Sequence, residues 1–324
     1  MKLALRKMAN AIARWLPAPL VRYWLKCYWY QPDLQDTLRF HIQPYSFDSA
    51  IPTRFDLDLE RLKMPRRLPG FKLDTECHLR LLDELFPYAQ EIIGWPSEET
   101  KGVEFWFRNY SYQDLDAVLL YCMIRHFKPR RIIEVGCGFS SRIISIAARK
   151  NRAEGHPLDC TFIEPYPDDR MLRESLAGPL LVKKIEEVPL ATFQELEAGD
   201  FLFIDTSHVI KTQNDCCYEY LEIIPGLPPG VILHVHDIFT PYDYPQEWIL
   251  QNRFAFNEQY VLECLMSGNP ALKIILPLHY LWKDHAAALN RFFPGPCTRP
   301  AAFWLMTTMP PNPADAPRPA KTKI

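Results

Sequence analysis

Five short apolar runs, each followed by a helix-length polar stretch, limit most sharply what this chain can fold into. They are Arg131–Val135, Cys160–Glu164, Leu180–Ile185, Phe201–Asp205 and Val231–His236. Uninterrupted runs of this length suit strands covered on both faces, and the intervals leave room for a crossover helix between successive pairs. A parallel sheet follows. Two further candidates, Leu272–Pro277 and Ala302–Thr307, raise the strand count to seven. The last has no room for another crossover helix, so an antiparallel final strand is expected. The predicted class is α/β, with a mostly parallel sheet, helices on both faces and an N-terminal accessory region.

Four regions are expected. Residues 1–30 form a basic amphipathic N-terminal region. It carries Lys2, Arg6, Lys7, Arg14, Arg22 and Lys26, with no acid before Asp33. Leu5, Met8, Ile12, Trp15 and Leu16 fall on one helical face. Such a helix can contact a membrane surface peripherally or pack on its own domain. Residues 31–102 are proline-rich and read as an accessory cap, with one firm helix at Thr75–Phe86. Residues 103–308 hold the sheet, introduced by a helix through Leu115, Val118, Leu119, Cys122 and Met123 that stops before Lys128-Pro129. Residues 309–324, with five prolines between Pro310 and Pro319, read as a disordered tail. Nine scattered cysteines with no CxxC pair suit a reducing, cytoplasmic setting. A formal net charge of -2 gives no reason to expect a nucleic-acid partner.

Ligands of open parallel sheets bind beyond the carboxyl ends of the strands. The first such end reads Glu134-Val135-Gly136-Cys137-Gly138-Phe139-Ser140-Ser141. Gly136 and Gly138 allow a tight turn and close backbone approach, and the following helix directs free N–H groups at a ligand. A third glycine of the dinucleotide fingerprint would fall at 141, which is Ser. Glu134 is placed to meet an ammonium, and Glu164, thirty positions on, can accept both hydroxyls of a ribose. A ligand with an ammonium, a carboxylate and a ribose but no pyrophosphate fits, and S-adenosyl-L-methionine is one.

Residues 103–308 resemble class I S-adenosylmethionine-dependent methyltransferases, in the small-molecule O-methyltransferase-like branch. The motifs are RIIEVGCGFSS (Arg131–Ser141), FIEPYP (Phe162–Pro167), LFIDTSH (Leu202–His208) and GVILHVHDIFTPYDYP (Gly230–Pro245). The resemblance implies a Rossmann-like seven-stranded sheet with a reversed seventh strand, in agreement with the strand count. It also implies that Glu134, Gly136, Gly138 and Glu164 line the cofactor. Ser140 and Asp205 complete the candidate cofactor set.

Methyl transfer from a sulfonium needs an aligned acceptor, exclusion of water and removal of the acceptor's proton. The candidates are Asp205 and His208 after the fourth run and His236 and Asp237 at the end of the fifth. His234 and His236 share one strand face, and His236 lies nearer the site. In related enzymes an acid after the fourth strand and an acidic pair after the fifth hold a divalent metal. Asp205 and Asp237 match two of those positions, but Ile238 occupies the third. Either a histidine completes a softer metal site, or no metal binds and a histidine is the general base, which is the reading we favour. Secondary candidates are Asn109, Tyr110 and Tyr112 near the cofactor, Tyr242, Asp243 and Tyr244 as a cover over the acceptor, and Glu187 near the adenine. Asn257, Glu258 and Tyr260 lie on a helix whose Phe256, Val261, Leu262 and Leu265 read as core.

The expected activity is methyl transfer to an oxygen, or less favourably a nitrogen, of a small polar molecule such as a sugar or natural-product intermediate. The rivals are a nicotinamide oxidoreductase, a metal-dependent hydrolase or hydroxylase on the same fold, and a membrane-surface adaptor with a vestigial pocket.

Overall fold

The computed structural model describes residues 17–39, 45–168 and 176–309. The chain divides into two compact units, Met1–Pro52 and Thr53–Ile324. The apolar stripe from Leu5 to Leu16 and the tail beyond Met309 lie outside the described residues.

In the first unit, α1 (Ala18–Trp29) enters through Pro17 and Pro19, where the missing N–H costs nothing. A short second helix, α2 (Pro32–Leu38), follows. Helix was not expected at 32–38.

In the second unit, α3 (Thr75–Ala89) starts at Asp74, whose carboxylate accepts the Cys77 N–H. It runs past the expected end, through Pro87. Next, α4 (Asp114–Phe127) ends at Lys128, in the left-handed region ahead of Pro129.

The sheet contains β1 (Arg131–Val135), β2 (Asp159–Ile163), β3 (Leu180–Leu181), β4 (Phe201–Ile204), β5 (Ile232–Val235), β6 (Leu272–Pro277) and β7 (Phe303–Thr307). Its order is β3-β2-β1-β4-β5-β7-β6. All pairings among β1 to β5 are parallel, while β7 runs antiparallel between β5 and β6. The reversed last strand is as expected. The third run yields only two paired residues, because the chain leaves the sheet into a turn at Ile185–Glu187.

Alternation sorts the side chains onto two faces. Ile132, Phe162, Phe201 and Phe203 pack with α3, α4 and α5 (Phe139–Ala153). Ile133, Val135, Leu202 and Ile204 pack with α6 (Leu190–Gln194), the α7 segment (Asp215–Tyr218) and its π-helical continuation (Glu219–Ile223). The helices α8 (Gln246–Leu250) and α9 (Glu258–Met266) follow, α9 on this second face.

The register positions the site. Val135 pairs with Ile163 and Ile204, and Ile204 pairs with Val235. The next residues, Gly136, Glu164, Asp205 and His236, therefore stand together on one edge. The strand order reverses direction between β1 and β4, which opens a crevice there. Among the described residues, no helix is long and apolar enough to cross a membrane.

Candidate active site

The loop after β1 is built from backbone. Gly136 has φ +80°, and a Cβ there would stand 1.7 Å from the Asp205 carbonyl oxygen. Only glycine lets β1 and β4 meet at this point. Gly138 is different: its φ is -174°, which any residue adopts, and a Cβ would meet nothing within 4 Å. The space is open toward a cleft of about 300 Å³ lined by Tyr110, Cys137, Gly138, Phe139 and Glu164. A second cleft of about 430 Å³, lined by Gly136, Glu164, Lys184, Glu186 and Asp205, lies across Glu164 and Tyr166. The Glu164 carboxylate stands at the border of the two. It accepts the Cys137 N–H (3.2 Å) and the Tyr166 N–H (2.7 Å). One lone pair of each oxygen remains for hydroxyl donors.

Two members of the candidate cofactor set lie beneath this surface. Glu134 is 0% exposed and Ser140 is buried, and neither lines either of the two clefts. The strand pleat explains Glu134: with Ile132, it points to the face that α4 and α5 cover. Burial pushes its carboxyl up to about 8, although the Ser140 and Ser141 hydroxyls act to lower it. Neither oxygen has an aligned hydrogen-bond partner.

The second half of the site is a knot of side chains at the ends of β4 and β5. His208 Nε2 lies 3.3 Å from Asp205 Oδ1 and 3.4 Å from Asp237 Oδ2, and Nδ1 lies 2.7 Å from Glu258 Oε2. His236 Nδ1 lies 3.6 Å from Asp205 and 3.5 Å from Asp237, with Nε2 3.5 Å from Asp116. The Tyr220 hydroxyl donates to the other Glu258 oxygen at 2.8 Å. His208 and Asp237 hold φ of +58° and +57°, strained values for residues with a Cβ.

Burial opposes protonation of both imidazoles, yet their partners overcome it. Asp205 and Glu258 hold His208 well above its ordinary value. Asp205, Asp237 and Asp116 do the same for His236. Asp205 lies well below the usual carboxylate range, because His236 and His208 outweigh its burial. Burial raises Asp237. The carboxylates face outward: side-chain exposure is 26% at Asp205 and 18% at Asp237, against 9% at each histidine. Asp205 lines a cleft and the imidazoles stand behind it.

The second-rank candidates separate cleanly. His234 is fully buried and stacked 4.1 Å from Phe203, and burial drives it well below its ordinary value, so it is a neutral core ring. Asn109 ties a turn through Trp106, Ser111 and Tyr112. Tyr112 is buried 4.9 Å from the His236 ring, while the exposed Tyr110 stands at a cleft rim. The 242–244 loop is packed and lines neither of the two clefts: Tyr242 donates to Asp284, Tyr244 accepts from the Gln259 N–H, and Asp243 pairs with Arg66. Glu187 is exposed, and Glu186 takes its place on the cleft wall. Asn257 accepts the Ile210 N–H, and Tyr260 donates to Asp243.

Sequence reasoning named Glu258 without giving it a role, and missed Asp116. The signal was present, since each is an acid on an apolar helical stripe: Glu258 with Leu262 and Met266, Asp116 with Leu119, Leu120 and Met123. Asp116 also accepts the N–H groups of Ala301 and Ala302, which fixes the start of β7 beside β5.

Residues 133–238 match the family model described as a methyltransferase domain. That stretch contains the glycine loop, Glu164 and the ends of β4 and β5, on a seven-stranded sheet with the expected reversed last strand. The match marks this stretch as similar to methyltransferase domains. An uncharacterized protein of Archaeoglobus fulgidus is 27% identical over 164 residues, covering 48% of this chain and 73% of its own. A solved structure from Plasmodium falciparum is described as a protein-L-isoaspartate O-methyltransferase in complex with S-adenosyl-L-homocysteine. It aligns over 49% of this chain and 83% of its own, at 12% identity and a TM-score of 0.28.

The methyltransferase cofactor fits the residues present. Open space over Gly138, a half-buried carboxylate at Glu164 and two clefts meeting there make a cradle for a nucleoside with an extended polar arm.

Proposed function

We propose that the domain methylates an oxygen, less favourably a nitrogen, of a small polar molecule, with sugars and natural-product intermediates the best candidates. The carrying observation is the joined cluster Asp205, His208, His236 and Asp237, placed beside the glycine loop and linked at 3.3–3.6 Å. A formal net charge of -2 supports a small acceptor over a nucleic acid. Nine free cysteines support a cytoplasmic setting.

The cofactor, when bound, supplies an electrophilic methyl group. Glu164 holds its hydroxyls, and the first turn of α5 offers N–H groups to its carboxylate. Asp205 and Asp237, the outward members of the cluster, accept the hydrogen bond of the acceptor hydroxyl and orient its oxygen. His208 and His236 stand behind them, and Glu258 fixes the His208 ring by taking its Nδ1 proton in a hydrogen bond. Proton removal is the work of this cluster as a unit.

A specific observation favours a second reading, in which a divalent cation joins the cluster. Single ligand atoms of Asp205, His208 and Asp237 lie within 4.8 Å of one another. The Glu258–His208 contact is the support that metal-bound imidazoles use. The carboxylates hold both imidazoles well above their ordinary value, so neither is a ready neutral base, whereas a cation held by Asp205, Asp237 and His208 in place of the His208 proton would lower the acceptor's own pKa. Two carboxylates and one imidazole suit manganese, iron or zinc better than magnesium.

The test is a panel of hydroxylated acceptors incubated with protein and S-adenosylmethionine, read by mass spectrometry. The expected result is a singly methylated product that disappears in Asp205→Asn and Asp237→Asn. Activity lost on chelation and restored by one metal selects the second reading. Full activity in both variants overturns the proposal.

A further inference from the structure

The helix α1 has twelve residues, and none is buried. Every helix of comparable length in the second unit buries a stripe, such as His78, Leu82, Leu85 and Ala89 on α3. At about 100° per residue, Leu20, Trp24 and Cys27 share one face, with Tyr23 at its margin, while Arg22 and Lys26 fall opposite. Trp24 is 69% exposed, Tyr23 66% and Leu20 48%. The face is held in shape: Gln35 on α2 donates to the carbonyls of Tyr28 and Trp29 and closes the end of α1.

The charge pattern selects the occupant. Residues 1–30 contain six basic side chains and no acid. Trp and Tyr bodies with basic side chains opposite match the boundary between lipid headgroups and acyl chains. An apolar groove on another protein would give no reason for a segment free of acids, whereas an anionic lipid surface does. We propose that α1 lies flat in the interface of an anionic membrane, aromatic face inward, and makes this methyltransferase a peripheral membrane protein. The proposal is independent of the acceptor's identity.

The test is flotation of the full-length chain with phosphatidylcholine vesicles, with and without phosphatidylglycerol. The expected result is flotation with the anionic vesicles only, weakened by salt. Recovery should fall about tenfold in Tyr23→Ser/Trp24→Ser and in Arg22→Glu/Lys26→Glu. Both variants should keep the parent unfolding temperature and affinity for S-adenosylhomocysteine. Three results would each overturn the proposal: no flotation with either vesicle, equal flotation with both, or undiminished flotation of the aromatic variant. A lowered unfolding temperature in the aromatic variant would also overturn it, by assigning the face to packing within the protein.

Discussion

The two halves of the site are made of different material. The glycine loop with Glu164 is a backbone device: a glycine where two strands touch, amides that present one carboxylate, and open space over a second glycine. The cluster at β4 and β5 is a side-chain device drawn from Asp116, Asp205, His208, Tyr220, His236, Asp237 and Glu258. A backbone device is specified by a few contiguous residues and holds a ligand common to many proteins. A side-chain device depends on distant elements arriving in register, and it can be retuned for a new acceptor without disturbing the loop.

Substitutions can break this division, and the largest effect belongs to the loop. Gly136→Ala places a methyl group against the Asp205 carbonyl at a left-handed φ, so we expect more than about 5 kcal/mol of destabilisation, seen as little or no folded protein. Gly138→Ala should leave stability within about 1 kcal/mol while weakening S-adenosylhomocysteine at least about tenfold, since the new methyl occupies ligand space. Equal losses of stability in the two variants would contradict the separate roles given to these glycines.

Glu134 tests the ground beneath the loop through pH. Its folded value of about 8 lies above the ordinary carboxylate value, so its contribution to stability is complete at acid pH and is lost as pH rises from about 4.5 to 8. The loss is on the order of 5 kcal/mol, and it should vanish in Glu134→Gln, measured by urea unfolding across that range. An unchanged slope would place the titration elsewhere. In the side-chain half, Glu258→Ala leaves the buried His208 without its closest carboxylate and should cost about 3–5 kcal/mol. Glu258→Gln keeps the shape and should cost about 1–3 kcal/mol. Folded Glu258→Gln should bind S-adenosylhomocysteine like the parent, and a matching loss of binding would join the two halves into one.

The same contrast decides what was legible in the sequence. Every strand but the third was read to within a residue at each end, because runs such as Arg131–Val135 and Leu272–Pro277 are apolar with clear stops. Gly136 and Glu164 were legible because spacing alone locates a strand end. The burial of Glu134 was not legible, because its neighbours in sequence do not reveal which face of β1 its side chain takes. The third run was overextended, since apolar content cannot tell a paired residue from one turning away at Ile185. Asp205, His208, His236 and Asp237 were found from their place at strand ends. Glu258 was named but given no role there, because fifty residues separate it from His208 and only the packing of α9 with the π-helical segment Glu219–Ile223 brings it near.

The central claim is that the loop holds the nucleoside and the cluster acts on the acceptor. Calorimetric titration of S-adenosylhomocysteine into folded wild type, Glu164→Ala and Asp237→Asn tests it most directly. We expect saturable binding in wild type, a loss of about 1–3 kcal/mol in Glu164→Ala from the missing charged hydrogen bonds, and wild-type affinity in Asp237→Asn. Absence of heat in wild type, or equal affinity in Glu164→Ala and wild type, would contradict the account.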